Sequence, residues 1–133
     1  MAEPRQICLA CFGLIDAAEA VCPRCGADLA ALSGRAFGPK LLGALQHPLS
    51  EVRMRAVIAL GWRGDPQAAA ELERLAWRHP ADVIEGLAVV DSLAQLDSAG
   101  QASLAVLAAS HPAHAIRAAA HAALARPREE NSR

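Results

Sequence analysis

The sequence predicts an all-α protein, a short α-solenoid of about three stacked helix pairs, preceded by a small cysteine-rich segment with β-hairpin turns. Three observations predict it. The composition is rich in the best helix former and poor in strand formers. The dipeptide His-Pro returns at a fixed interval. All four cysteines lie in the first 30 residues.

Hydrophobic residues make up 53% of the 133-residue chain, and nearly half of them are alanine. There are two Phe, two Trp and no Tyr, so the aromatic residues that favour strands are almost missing. Lys plus Arg number 13 and Asp plus Glu 14. The first 35 residues carry three basic and four acidic side chains, leaving ten of each for the remainder. Neither part has the positive excess that phosphate neutralisation requires. The start, "MAEPRQICLACFG", has no basic segment leading into an apolar run, so no secretory signal is expected. No stretch approaches the ~18 apolar residues of a membrane span. The expected compartment is therefore the reducing cytoplasm, where paired cysteines point to metal rather than to disulfides.

Residues 1–30 hold the motif Cys8-x-x-Cys11, ten intervening residues, then Cys22-x-x-Cys25. Two short turns that each present two thiolates can surround one tetrahedral zinc ion. A redox pair or disulfides are the alternatives. Pro23 stiffens the second turn and Gly26 permits the positive φ that often closes it, whereas in "CLACFG" the glycine is displaced by one residue. Leu9, Phe12, Leu14, Ile15 and Val21 are too few for an independent core, because chains below ~40 residues need a metal, disulfides or a partner. The segment resembles the small bacterial zinc-ribbon family, in which "CPxCG" is repeated. The resemblance implies one structural Zn2+ held by Cys8, Cys11, Cys22 and Cys25. Four sulfur ligands leave no open position for catalysis. Arg5, Arg24 and Arg35 against Glu3, Asp16, Glu19 and Asp28 make the segment mildly acidic, which does not favour nucleic acid.

Residues 31–38, "ALSGRAFG", read as a linker, and residues 39–126 hold the repeats. His47-Pro48, His79-Pro80 and His111-Pro112 are each 32 residues apart. Aligned on them, Val52, Ile84 and Ile116 coincide, as do Ala56, Ala88 and Ala120, while Leu60 and Leu124 flank Ser92. Leucines precede each His-Pro at helical spacing: Leu41, Leu42 and Leu45, then Leu72 and Leu75, then Leu104 and Leu107. Ser50 is expected to cap the helix that begins at Glu51, Asp65-Pro66 to open the next unit, and Ser98-x-x-Gln101 to form a capping box. One helix pair cannot bury its own apolar face, so the units are expected to stack. Residues 127–133, "PREENSR", read as a disordered tail.

The stretch "LLGALQHPLSEVRMRAVIALGWRGDP" resembles the short, bacterial type of HEAT-like repeat: an apolar first helix, a Pro-containing turn, Val-Arg, an alanine-rich second helix, and Gly-Asp-Pro opening the next unit. The likeness weakens along the chain, with Glu85 where the pattern has Arg and a third unit poor in large apolar residues. Ankyrin and tetratricopeptide signatures are lacking.

Equivalent positions of stacked units lie about 8–10 Å apart, too far for one metal to be shared by His47, His79 and His111. These histidines read as helix-ending corner residues. An iron-binding HEAT-repeat hydroxylase family uses His-Glu pairs, and here each corner histidine is followed by proline. His111, His114 and His121 are expected to be exposed. Arg53, Glu85 and Arg117 share one aligned position and form either a ladder of opposite charge along the second helices or three solvated side chains. Trp62 and Trp77 are expected in the core, with an exposed Trp62 pointing instead to a partner anchor. The alanine-rich last helix, "AIRAAAHAALA", is either a weak cap or a surface for a second copy.

No nucleophile–base pair, phosphate loop or carboxylate cluster stands out. The resemblance implies a non-enzymatic protein–protein adaptor or scaffold with an unidentified protein partner. The possible interaction surface comprises Arg53, Arg55, Trp62, Glu85 and Arg117. The first alternative is nucleic-acid or ribosome association through the ribbon and Arg53, Arg55, Arg63, Arg74 and Arg78. A weaker one is a lyase or accessory enzyme, because some HEAT-like families handle tetrapyrrole attachment.

Overall fold

The computed structural model describes residues 5–8, 10–16, 18–30 and 37–126. The predicted tail, residues 127–133, and most of the predicted linker lie outside the described residues.

The first segment is a hairpin. Strands β1 (Arg5–Ile7) and β2 (Leu14–Asp16) pair antiparallel, with Gln6 opposite Ile15. An isolated bridge between Val21 and Asp28 closes a second turn. Cys8, Ile15, Cys22 and Leu29 form its buried cluster. Two of those four residues are thiols, so the apolar core is as small as the sequence suggests.

Six helices follow among the described residues: α1 (Phe37–Ala44), α2 (Ser50–Arg63), α3 (Ala69–Arg78), α4 (Val83–Leu93), α5 (Asp97–Ser110) and α6 (His114–Ala125). They pair as α1/α2, α3/α4 and α5/α6, and the second helices α2, α4 and α6 contact one another in succession. This is the predicted solenoid of three helix pairs.

The core runs between the two layers of helices. Leu41 and Leu45 of α1, Leu60 of α2, Leu72 and Leu75 of α3, Leu93 of α4, Leu104 and Leu107 of α5 and Ile116 of α6 are all fully buried. Each such side chain contributes about 1.5–3 kcal/mol by leaving water. Alanines at the aligned repeat positions, Ala56 and Ala120, are also fully buried and let the layers approach closely.

The joints differ from expectation in two places. Helix α2 begins at Ser50 itself, with Leu49 as N-cap and no side-chain cap. The corner is held instead by His47, whose Nδ1 accepts from the Leu49 N–H at 3.1 Å. Helix α5 has no capping box either. Ser98 lies inside the helix, and the N-cap is Leu96 without a side-chain bond. The chain turns so tightly there that Asp97 takes a φ of 55° and a Cβ on Gly100 would meet the Leu93 carbonyl oxygen at 1.8 Å. Asp65 does cap as expected. It accepts from the Gln67 N–H at 3.0 Å at the start of a single 3₁₀ turn, Pro66–Ala68, that leads into α3. Gly64, at φ 69°, ends α2 just before it, its N–H reaching the Leu60 and Gly61 carbonyls.

Candidate functional site

Cys8, Cys11, Cys22 and Cys25 come together, all four sulfurs lying within 4.8 Å of one another. Cys8 and Cys22 are buried, Cys11 and Cys25 exposed, and all four are free thiols. Across the two turns Cys8 Sγ lies 3.7 Å from Cys25 Sγ, and Cys11 Sγ lies 3.8 Å from Cys22 Sγ. The edge of a sulfur tetrahedron with metal–sulfur bonds of ~2.3 Å is about 3.8 Å, so these two pairs stand at the edge length of a tetrathiolate site and the remaining separations stay within 4.8 Å. The four cysteines could hold a metal ion.

The two turns repeat each other. Cys8 N–H donates to Gly13 O at 2.9 Å and Phe12 N–H to Cys8 O at 2.7 Å; Cys22 N–H donates to Ala27 O at 2.9 Å and Gly26 N–H to Cys22 O at 2.9 Å. In each turn the residue two beyond the first cysteine points its N–H at the sulfur, Ala10 to Cys8 and Arg24 to Cys22, both at 3.4 Å. Such bonds favour the thiolate and fix its direction.

Burial opposes ionisation of Cys22. The Cys25 and Arg24 backbone N–H groups, with the Cys11 and Cys25 thiols, outweigh it and lower the Cys22 thiol to about 7. At Cys25 the Ala27 backbone bond favours the thiolate. Burial and the Cys8, Cys22 and Cys11 thiols prevail, raising it to about 12. Four thiols so close together ionise one at a time, whereas a dication can hold them all deprotonated.

Superposing the turns pairs Phe12 with Gly26, at φ 60° and 80°. A left-handed residue with a side chain costs roughly 1–2 kcal/mol relative to glycine. The displaced glycine, Gly13, serves a different need: a Cβ there would meet Arg24 Cδ at 2.7 Å. Phe12 does not join the small cysteine cluster. It packs against the core of the helical array, its ring 6.0 Å from that of His47. Arg55 of α2 donates from Nη1 to the Phe12 carbonyl at 3.2 Å. The sequence hinted at this only through the misplaced glycine.

Within the array the predicted charge ladder forms at one rung. Arg53 Nε donates to Glu85 Oε1 at 2.8 Å, and both residues are buried. Glu85 Oε2 lies 3.0 Å from His79 Nδ1. Arg53 Nη1 also donates to the His47 and Pro48 carbonyls at 2.9 and 3.1 Å. Arg117 repeats that clamp on His111 O and Pro112 O at 2.7 and 3.1 Å. The arginine at this repeat position therefore pins its own His-Pro corner. The middle unit has Glu85 instead, which binds the His79 ring while Asp82 caps α4 by accepting from the Glu85 N–H.

His111 is buried, against expectation. The array continues past it, so it sits between layers, with Nε2 2.9 Å from the Ala76 carbonyl and Nδ1 accepting from the Ala113 N–H at 3.0 Å. His114 and His121 are exposed.

Of the residues expected at an interaction surface, Arg53 and Glu85 face inward, where an ion pair needs hydrogen bonds to offset lost hydration. Arg55 is turned to the hairpin and Arg117 to its corner carbonyls. Of the other arginines named for nucleic acid, Arg74 Nη1 donates to Glu71 Oε2 and Arg78 Nη2 to Leu45 O. Trp62 is 41% exposed rather than in the core. It lines a groove of about 310 Å³ between α2 and α4 with Ile58, Ala88, Asp91, Ser92 and Gln95. Ile84, 73% exposed, and Leu87 extend this face along α4. Trp77, 36% exposed, is not in the core either: it lies against the His111 ring at 5.1 Å, and its Nε1 donates to Glu73 Oε2 at 3.3 Å. No described helix is long and apolar enough to cross a membrane.

Neither a curated protein nor a solved structure matches the chain. The family profile for HEAT repeats matches residues 24–94, from the second cysteine turn to the end of α4. With that match covering just over half of its length, the chain belongs to the HEAT-repeat family.

Proposed function

We propose that the protein is a non-enzymatic protein–protein adaptor, with one structural zinc ion holding its N-terminal ribbon. The exposed Trp62, together with Ile84 and Leu87 on the neighbouring helix, carries this reading. These are large apolar side chains left exposed on adjoining second helices, and tryptophan is enriched at binding hot spots. The pattern on α4 is regular: Ile84, Leu87, Ala88 and Asp91 recur at helical spacing, an apolar stripe with a carboxylate at its end. Four thiols at tetrahedral spacing support zinc, and the four-residue core supports a structural role. The exposed small residues of α6, including Ala115, Ala118 and Ala122, offer a second copy a close approach.

The test is affinity capture from the native cell with the full chain as bait, run beside Trp62→Ala and Ile84→Ser variants of unchanged thermal stability. The reading expects a discrete set of proteins on the native bait that is lost from both variants. An identical set on all three baits would sink it. Elemental analysis of the purified protein is expected to give one zinc per chain.

A further inference from the structure

We propose that metal binding at the four cysteines controls the docking of the hairpin on α2, with Phe12 as the coupling residue. The proposal rests on metal loading of this cysteine set and goes beyond it, from holding the ribbon together to covering one side of the array.

Phe12 belongs to both structures at once. Its backbone is part of the first cysteine turn: it follows Cys11 directly, and its N–H is held by Cys8 O at 2.7 Å. Its ring and carbonyl belong to the array, through the helical core, the His47 ring and Arg55 Nη1. The left-handed backbone that sends the ring outward is the one glycine supplies in the second turn. The turn holds that conformation only while it is itself held, and its own buried cluster is two cysteines, Ile15 and Leu29. Without a metal to join Cys8 and Cys11 to Cys22 and Cys25, little fixes Phe12 in place.

The place of docking matters. Arg53 and Arg55 are two residues apart, about 200° around a helix. Arg53, with Val57 and Gly61, faces α4, where Glu85 and Ser92 meet them. Arg55 faces the hairpin on the opposite side. The hairpin thus stands where an inner unit of a solenoid would have the second helix of the preceding unit. Loss of the metal frees this side of α2.

Binding free energies are reciprocal: if the metal favours docking, docking favours the metal by the same factor. The experiment uses the full chain, zinc-loaded and after chelation. Hydrogen exchange is followed by mass spectrometry on peptides from α2 and, as internal control, from α6, and zinc affinity is measured by chelator competition. Chelation is expected to speed exchange in α2 and leave α6 unchanged. Arg55→Ala, which leaves the ribbon sequence intact, is expected to weaken zinc about 5- to 150-fold, the usual range of coupling between sites. Should the alanine variant fold poorly, Arg55→Lys serves, and is expected to weaken zinc to a lesser degree. Phe12→Gly keeps the turn and the carbonyl that Arg55 binds but removes the ring, so its α2 exchange should respond to zinc less than the native chain's does. Bound zinc with an α2 that ignores chelation overturns the coupling while leaving the structural zinc reading intact. Native zinc affinity in the Arg55 variant also overturns it. Absence of bound zinc overturns both.

Discussion

Arg53 and Glu85 stand 32 residues apart in the chain and meet at 2.8 Å inside it, each at the same position of its own repeat. The departure at Glu85 from the family's arginine is what makes the pair possible. Both carboxylate oxygens are engaged, one by Arg53 and one by His79, so the buried charge is well satisfied. Arg53→Ala is expected to cost about 3–5 kcal/mol, because it leaves Glu85 buried with a single partner. Glu85→Gln keeps the shape and part of the bonding, and is expected to cost about 1–3 kcal/mol. Arg117→Ala removes only the two hydrogen bonds that clamp the last corner, also about 1–3 kcal/mol. Urea unfolding is expected to make Arg53→Ala the least stable of the three variants.

Metal affinity should depend on pH in two regimes. In the metal-free site Cys25 keeps its proton until about 12, so between pH 7 and 9 loading must expel at least that proton, and affinity rises with pH. Below about 7 Cys22 is protonated as well, so a further proton competes with the metal and the dependence steepens. Zinc competition titrations at pH 6, 7 and 8 should therefore show a larger drop from 7 to 6 than from 8 to 7. Equal steps would contradict the ionisation order of the two thiols.

Gly26 and Phe12 share a backbone conformation, and only one of them is a glycine. No atom lies within 4 Å of a Cβ built on Gly26, so Gly26→Ala isolates the cost of the left-handed backbone. That cost is about 1–2 kcal/mol, close to a ten-fold loss of metal affinity when the ribbon folds with its metal. Gly100→Ala is the contrasting case. Its Cβ would overlap the Leu93 carbonyl oxygen, which belongs to the backbone and cannot rotate away. The turn between α4 and α5 must open, and a cost above about 3 kcal/mol is expected in thermal or urea unfolding.

The repeat architecture and the metal site were legible because each rests on spacing. A 32-residue period in His-Pro, leucine and alanine fixes the helix pairs, and two C-x-x-C turns fix the thiol set. What spacing could not show is which neighbour each side chain meets. Ser92 replaces a leucine of the pattern, and only the fold reveals why: its hydroxyl donates to Val57 O at 2.7 Å, beside Gly61, where a Cβ would meet Ser92 Oγ at 2.7 Å. The expected serine caps failed for a related reason. At Ser50 the helix starts one residue early: the Leu49 carbonyl already takes the Val52 and Arg53 N–H groups at 3.1 and 3.2 Å, so the serine falls inside the helix. Trp62, at the end of its helix, could go either to the core or to a partner contact. Which of the two holds depends on how α4 packs beside α2, which no local pattern encodes.

The three His-Pro corners, alike in sequence, should respond differently to the same substitution. The His47 ring is half-buried and makes one hydrogen bond, to Leu49 N–H, so His47→Ala is expected to cost about 0.5–1.5 kcal/mol for that bond. His79 has exchanged that bond for Glu85, leaving Asp82 to cap α4. His79→Ala withdraws one partner from a buried carboxylate that keeps Arg53, and about 1–3 kcal/mol is expected. His111 is fully buried, joins Ala76 O to Ala113 N–H, and carries Trp77 on its face. His111→Ala opens a cavity and strands both backbone groups, at about 3–5 kcal/mol, the range of large aromatic truncations. His111→Phe separates the two contributions, since it fills the space and leaves the carbonyl and the amide without partners. It should recover part of the loss and no more. Full recovery in urea unfolding would show that volume alone holds this corner.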